Sequence, residues 1–465
     1  MSPTEVKAGG GLTACLLERL IGRPAAAWTV DDLVSLAEAR GVRVVSLMHV
    51  GGDGWLKALD FVPRDHRHLV DIVSGGERAD GSSLFAGYGL EVGASDILLR
   101  PRLETAFFDP FAEQPTLVLL CSHAGRDGAP LPQSPDTILR AADRRVAHET
   151  GVQLHALGEV EYFLGRRAGE EDIYGASDRG YHATSPFVFG EAVRREAMAL
   201  LAEIGVPVKY GHSEVGYVPA AKADGVIWEQ HEIEMGLAPL PAAADAVVLT
   251  QWMLRNLAHR AGMRCSFDPI LRRGHAGTGL HFHLSPVRQG EHLGGRGADG
   301  KLSDPAQWLI GGLVRLGGAL MAFGNRTEGS LIRLTQAKEA PNAIVWGEFD
   351  RSALVRLPIV ARTEDGRAVS PPTIEFRLPD GSAHPHLLLA GVAQAMVEAK
   401  DASDVAARLE STSVVALRRG AATPTPVPTR FSEVAEALKL HRAALEAGGV
   451  FPPALLDRLI EKLSE

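Results

Sequence analysis

Apolar positions along the chain follow two rhythms. Up to about residue 124 the runs are short. Residues 42–50 and 116–121 read as strands rich in β-branched side chains, preceded by a capped amphipathic helix over 31–40 carrying Asp31, Asp32, Leu33, Leu36 and Ala37. Beyond residue 135 the period lengthens. Residues 191–204 place Val193, Leu200, Leu201 and Ile204 on one helical stripe that stops at Gly205. Residues 247–261, 305–323, 386–400 and 431–447 predict further helices, and residues 152–164 alternate as a strand. The Gly-, Pro-, Asp- and Ser-rich stretch 125–135 separates the two regimes and predicts a boundary. Residues 288–304 and 420–430 read as loops.

Composition narrows this picture. A 465-residue chain with 45% hydrophobic and 23% charged residues can bury a large core without staples. A net charge of -9 argues against nucleic acid as a partner, because phosphate binding wants a basic face. Cys15, Cys121 and Cys265 are widely spaced, which argues against a disulfide framework or cysteine zinc site and suits a reducing cytoplasm. The most apolar helical stretch, 308–323, carries Arg315 and several glycines, and the first eleven residues lack a basic start and apolar run. The expectation is a cytoplasmic protein with no membrane span.

Three strand-like segments carry polar pairs at spacing two, so both members share one face: Glu159 and Glu161, His281 and His283, Glu375 and Arg377. An isolated Glu-x-Glu is usually a solvated outer face. Carboxylates that must be buried need a positive charge between them, and a divalent metal supplies it. Carboxylates with one or two imidazoles favour Mg²⁺ or Mn²⁺. Arg333, Arg351, Arg356 and Arg377 fall within 45 residues. Their planar forks suit carboxylate and phosphate oxygens, so metal plus arginines suggests phosphoryl transfer. No P-loop motif is present.

At this point the chain resembles the glutamine synthetase family, type I-like in length. The resemblance rests on Asp80-Gly81-Ser82-Ser83 with Ser95-Asp96, and on Gly158-Glu159-Val160-Glu161-Tyr162-Phe163. His212-Ser213-Glu214-Val215, Gln230-His231-Glu232 and Gly277-Thr278-Gly279-Leu280-His281-Phe282-His283 follow in order. Arg333-Leu334, Glu339-Ala340-Pro341, Arg351-Ser352-Ala353, Arg356-Leu357-Pro358 and Glu375-Phe376-Arg377-Leu378-Pro379-Asp380 complete it. The resemblance implies an α+β fold: a small N-terminal β-grasp domain (28–128) and a large catalytic domain (133–465) built on a curved antiparallel sheet flanked by helices.

The resemblance also assigns roles. Glu161, Glu214 and Glu232 would hold one metal, and Glu159, His281 and Glu375 the other. Arg333 would take the α-carboxylate of glutamate, near the Gly277 backbone. Arg351, Arg356 and Arg377 would neutralise the transferring phosphoryl group, with His283 and Ser285 beside ATP. Asp80 and Ser83 of a neighbouring subunit, with Tyr181 and Glu214, would form the ammonium pocket, and Glu339 would close a flap. The implied reaction is ATP-dependent formation of γ-glutamyl phosphate, then glutamine from ammonia, in a ring-shaped homo-oligomer, a dodecamer by family pattern. The alternatives are a γ-glutamyl ligase for an amine or polyamine and a weakly active regulatory paralogue.

Several positions depart from the family pattern. Glu214 and Glu232 are separated by 18 residues, so 216–228 reads as an insertion. Ala276, Leu237, Ser370, Thr373 and His384-Pro385-His386 replace usual substrate- or nucleotide-side residues. All six tyrosines lie at or before Tyr217, so the C-terminal tyrosine adenylylated in some relatives has no counterpart.

Overall fold

The computed structural model describes residues 13–90, 95–169, 180–222, 224–297, 299–336 and 340–465. The N-terminal part builds a six-stranded sheet from β1 (Val44–Val50), β2 (Leu56–Phe61), β3 (Glu77–Asp80), β4 (Asp96–Pro101), β5 (Phe107–Phe108) and β6 (Thr116–Ala124). Its order is β2-β1-β6-β4-β3 with β5 on β6, and β1 runs parallel to β6. The helix Val30–Ala39 starts at a capping box between Thr29 and Asp32, and packs Leu33, Val34 and Ala37 into a core shared with Val45, Leu47, Leu117 and Leu119.

The larger sheet has ten strands. They are β7 (Gln153–Arg167), β8 (Val208–Val218), β9 (Val226–Met235), β10 (Ala238–Pro239), β11 (Arg264–Ser266), β12 (Leu280–Arg288), β13 (Glu291–His292), β14 (Trp346–Glu348), β15 (Val355–Leu357) and β16 (Ile374–Phe376). Its spine runs β14-β15-β16-β12-β7-β9-β8. The expected antiparallel sheet is in fact mixed, because β14 and β15 run parallel. Phe349 takes a left-handed φ of 60° and Ala353 N–H closes a turn on Asp350 O, which loops the chain back into the same direction.

Helices Pro135–Thr150, Leu240–Arg260, Asp304–Gly324 and Pro385–Lys400 pack on one another and on this sheet in one continuous core. Asp304–Gly324 is long and apolar enough to cross a membrane, yet 83% of its apolar window is buried inside the protein. Its glycines have a packing reason: a Cβ on Gly312 would lie 2.1 Å from the Ala395 carbonyl oxygen, so only glycine lets these two core helices approach.

Two helix expectations change. Leu240–Arg260 begins seven residues earlier than the apolar stripe suggests, on a Pro- and Ala-rich first turn. The segment 431–447 is two helices, Phe431–Leu440 and Arg442–Glu446, because His441 leaves helical geometry (φ -103°, ψ 10°). The break lets both Leu438 and Leu445 enter the core.

Candidate active site

Strand register assembles the site. On β7, Glu159 faces Glu234 of β9 on one side and His281 of β12 on the other. One step along, Glu161 faces Glu232, which in turn faces His212 of β8. His283 faces Glu375 of β16, and Glu375 faces Arg356 of β15. Spacing two on each strand and antiparallel register between strands thus converge distant residues on one sheet face.

Among the described residues, three groups of donor atoms lie close enough to share an ion: Glu159, His281 and Glu375; His212, Glu214 and Glu232; and Glu159, Glu234 and His283. His281 Nδ1 is 2.9 Å from Glu159 Oε2 and 3.9 Å from Glu375 Oε1. His283 Nε2 is 2.9 Å from Glu159 Oε1, and its Nδ1 is 2.7 Å from the Thr373 hydroxyl. His212 Nε2 lies 3.4 Å from Glu232 Oε1. Glu161 is held differently. Its Oε2 accepts from Gln230 Nε2 (3.0 Å) and the Gly279 N–H (2.8 Å), while Oε1 lies 3.8 Å from His281 Nδ1. A Cβ on Gly279 would sit 2.6 Å from His281 Nε2 and 2.9 Å from Glu161 Oε1, so glycine is what admits both side chains.

The electrostatics ask for a cation. Burial, and then the charges of Glu159, Glu161, Glu214 and Glu234, push the Glu232 carboxyl well above its usual range. Burial would also raise Glu159, but His283 and His281 overcome it and hold that carboxyl low. His283 is raised: burial lowers it, and Glu159 outweighs burial. Two carboxylates with one imidazole in each group suit Mg²⁺ or Mn²⁺, so the residues present fit a divalent metal.

Arginines ring this face. Arg356 Nη1 donates to Glu375 Oε2 at 2.8 Å, Arg377 pairs with the other oxygen of Glu375, and Arg377 Nε donates to Arg351 O at 3.1 Å. Arg351, Arg356 and Arg377 line a cavity of about 790 Å³ together with Glu159, Glu232 and Tyr181. A smaller adjoining cavity, about 230 Å³, is lined by Arg333, Gly277, Glu214, Glu161 and Gln230. Arg333 is buried and donates to Leu378 O (3.0 Å) and Arg377 O (3.3 Å).

The remaining expected residues lie apart or outside. Ser285 follows His281 and His283 on the same face of β12 but is buried and lines neither cavity, its hydroxyl bonded to Pro372 O and His292 Nδ1 at 3.0 Å each. Asp80 caps a short turn, with Ser82 and Ser83 hydroxyls each at 2.7 Å, and these bonds hold its carboxyl down to about 2. Asp80 and Ser83 line neither cavity of their own chain. Glu339 lies outside the described residues.

Four residues of the site escaped sequence reasoning. Glu234 repeats the Glu-x-Glu spacing with Glu232, which was a usable signal. His212 sits in a quoted motif without a role. Gln230 bridges Glu161 and Gly277 O (2.8 Å), and Lys209 Nζ lies 2.6 Å from Glu234 Oε1. Gln230 stands in the Gln230-His231-Glu232 motif, which gave it no role, and nothing local distinguishes Lys209 from a surface residue.

A family model described as glutamine synthetase, catalytic domain, matches residues 132–461. The chain belongs to the glutamine synthetase family. A glutamine synthetase of Azospirillum brasilense is 28% identical over 426 residues, covering 85% of this chain and 87% of that protein. A 3-hydroxylaminophenol mutase of Cupriavidus pinatubonensis is 30% identical over 474 residues, covering 94% and 95%. In fold, the chain is similar to the Plasmodium falciparum glutamine synthetase, with a TM-score of 0.77 at 18% identity over 94% of this chain and 95% of that one. Family membership therefore agrees with the motif reading, while the names of the relatives span more than one activity.

Proposed function

We propose that the chain is an ATP- and divalent-metal-dependent ligase that makes γ-glutamyl phosphate from glutamate and then glutamine from ammonia. The observation that carries this reading is the pair of neighbouring carboxylate–imidazole triads on one sheet face, bordered by Arg351, Arg356 and Arg377. Glu159, His281 and Glu375 would hold one ion, and Glu214 and Glu232, with Glu161 or His212, the other. When bound, the ions would neutralise phosphate oxygens during transfer.

The chain's own residues do the rest. Arg333, fixed by two backbone carbonyls, presents its remaining donors to the α-carboxylate of glutamate in the smaller cavity. A γ-carboxylate oxygen attacks the terminal phosphorus of ATP, and the bond to the β-phosphate oxygen breaks. Arg351, Arg356 and Arg377 offset the charge on the moving group. Asp80 of a neighbouring copy takes a proton from ammonium; ammonia attacks the acyl carbon, and phosphate and a second proton leave. That assignment needs a neighbouring copy, in a ring-shaped homo-oligomer by the family pattern, since Asp80 and Ser83 line neither catalytic-face cavity of their own chain. His283, Ser285 and Thr373 form the nucleotide side.

A second reading is an amine as acceptor. Its support is an aromatic wall at the cavity mouth, where the Tyr181 ring stacks on His182 at 4.2 Å and meets His212 at 5.3 Å. Such faces suit an amine that carries carbon. The test is phosphate release from ATP with glutamate and Mg²⁺, offered ammonium or a panel of amines. Release with ammonium is the expected result. Release with amines alone selects the second reading, and no release with any acceptor removes ligase activity altogether.

A further inference from the structure

A third cavity, about 680 Å³, opens where the β1–β2 hairpin meets the helix Leu240–Arg260. It shares no lining residue with the two cavities of the catalytic face. Arg255 stands in its wall. The guanidinium carbon lies 4.5 Å from the Trp55 ring centroid and 4.7 Å from that of Phe267. Rings therefore cover the guanidinium faces, where cation–π attraction holds them, and the N–H edges are left to find acceptors. Among the described residues none accepts from Arg255, and no carboxylate lies within ion-pair distance of it.

The rest of the wall points the same way. Arg326 donates Nη1 to a backbone carbonyl, Asp53 O, at 2.9 Å, and pairs with no described carboxylate. Lys462, from the last helix, has no described partner. Two acids also border the cavity, but each is engaged: Asp53 pairs with Lys57 at 2.7 Å, and Asp268 accepts from the Ser266 hydroxyl at 2.9 Å. Deeper in the wall Gln251 is 9% exposed, and its amide nitrogen has no hydrogen-bond partner. A buried unpaired donor is costly, and an acceptor placed there removes the cost. Burial depresses the Arg255 guanidinium, and the nearby Cys265 and Asp268 offset this only in part. Arg255, Arg326 and Lys462 outnumber Asp53 and Asp268 in this wall, a local excess of positive charge beside Trp55, Trp252 and Phe267 in a chain of net charge -9.

We infer that this cavity is a second ligand site that takes a small oxyanion, a carboxylate or a phosphate, on a planar or apolar body. The Arg255 edges would grip the oxyanion, Arg326 and Lys462 would add charge, and the body would lie toward Trp252. Such a ligand would touch both the N-terminal hairpin and the catalytic domain, and so would bias how they sit together.

The experiment is calorimetric titration of the full-length assembled protein, followed in parallel by tryptophan fluorescence, since Trp55 and Trp252 both line the cavity. Benzoate and inorganic phosphate are the two probes. Saturable binding of benzoate alone identifies a carboxylate ligand, and of phosphate alone a phosphorylated one. Either should weaken about tenfold in Arg255→Gln, the usual effect of losing one charge-assisted pair, with turnover at the catalytic face unchanged. Lys462→Gln, on an exposed helix face, guards against a folding artefact and should weaken binding about threefold. Failure of both probes to bind, or wild-type affinity in Arg255→Gln, overturns the proposal.

Discussion

Two buried polar clusters in this protein differ in how their charges are balanced. At the junction of the two sheets, Arg102 Nη1 reaches Asp245 at 2.6 Å and Asp136 at 4.0 Å. Arg140 Nε holds Asp136 at 2.9 Å, the Ser122 hydroxyl adds a bond at 2.6 Å, and His386 Nε2 meets Asp245 at 3.1 Å. Burial would raise both carboxyls, but Arg102 outweighs it, helped by Arg140 at Asp136 and by His386 at Asp245, so both stay low. On the catalytic face the carboxylates outnumber the cations, and Glu232 is pushed the other way. The first cluster is balanced in charge as folded, two arginines against two aspartates, although Arg102 Nε and His386 Nδ1 are buried without a hydrogen-bond partner. The second leaves an excess of carboxylate that the proposed divalent ions would balance. Internal balance marks a structural network, and imbalance marks a site.

The sharpest way to break that comparison is at Glu375, which joins Arg356 and Arg377 to the His281 triad. Glu375→Gln should lower turnover about a thousandfold in steady-state assays, the scale of losing one preorganised charge contact. Thermal shift should show Mg²⁺ or Mn²⁺ stabilising the natural protein and not this variant. Turnover within tenfold of normal would remove Glu375 from the machinery.

The junction should behave oppositely. Asp245→Ala leaves Arg102 buried without its closest partner, and calorimetry should show a loss of about 3–5 kcal/mol. Metal affinity of the folded protein should be unchanged. If metal binding falls with stability, the two clusters are one network and the comparison fails.

A smaller effect should come with pH. His123 Nε2 is 3.0 Å from His49 Nδ1, and its Nδ1 is 2.8 Å from the Ser134 hydroxyl. Burial holds His49 down to about 4 and His123 to about 3. Unfolded histidine takes its proton near pH 6.5, so between about 6.5 and 4 the unfolded chain binds more protons. Stability should therefore fall as pH drops through that window. His123→Gln, which cannot titrate, should flatten the dependence of unfolding free energy on pH between about 4.5 and 7 by roughly 2–3 kcal/mol. An unchanged slope would show that this pair is not what acid disturbs.

Much of the site was legible because strand chemistry is local. Glu159 with Glu161, and His281 with His283, share a face by the two-residue period alone. Glu234 carries the same two-residue signal beside Glu232. The roles of Gln230 and Lys209 were not legible, because they come from contacts across the β7–β9 and β8–β9 pairs. The helix break at His441 and the parallel β14–β15 pair were equally hidden, since each serves a packing need that neighbouring residues do not record.

The amino-acid order by itself determined the two regimes of the chain, most helix stripes, the polar strand pairs and the family. Those follow from periodicity and motif, which need only a few consecutive residues. Only the tertiary structure decided which pairs meet. Antiparallel register set Glu159 between Glu234 and His281, turned Glu161 toward Gln230 and Gly279, and brought His212 to Glu214 and Glu232. It also left Arg255 between two rings with its edges free. Register and close packing are set by the whole core at once, so no local stretch of sequence contains them.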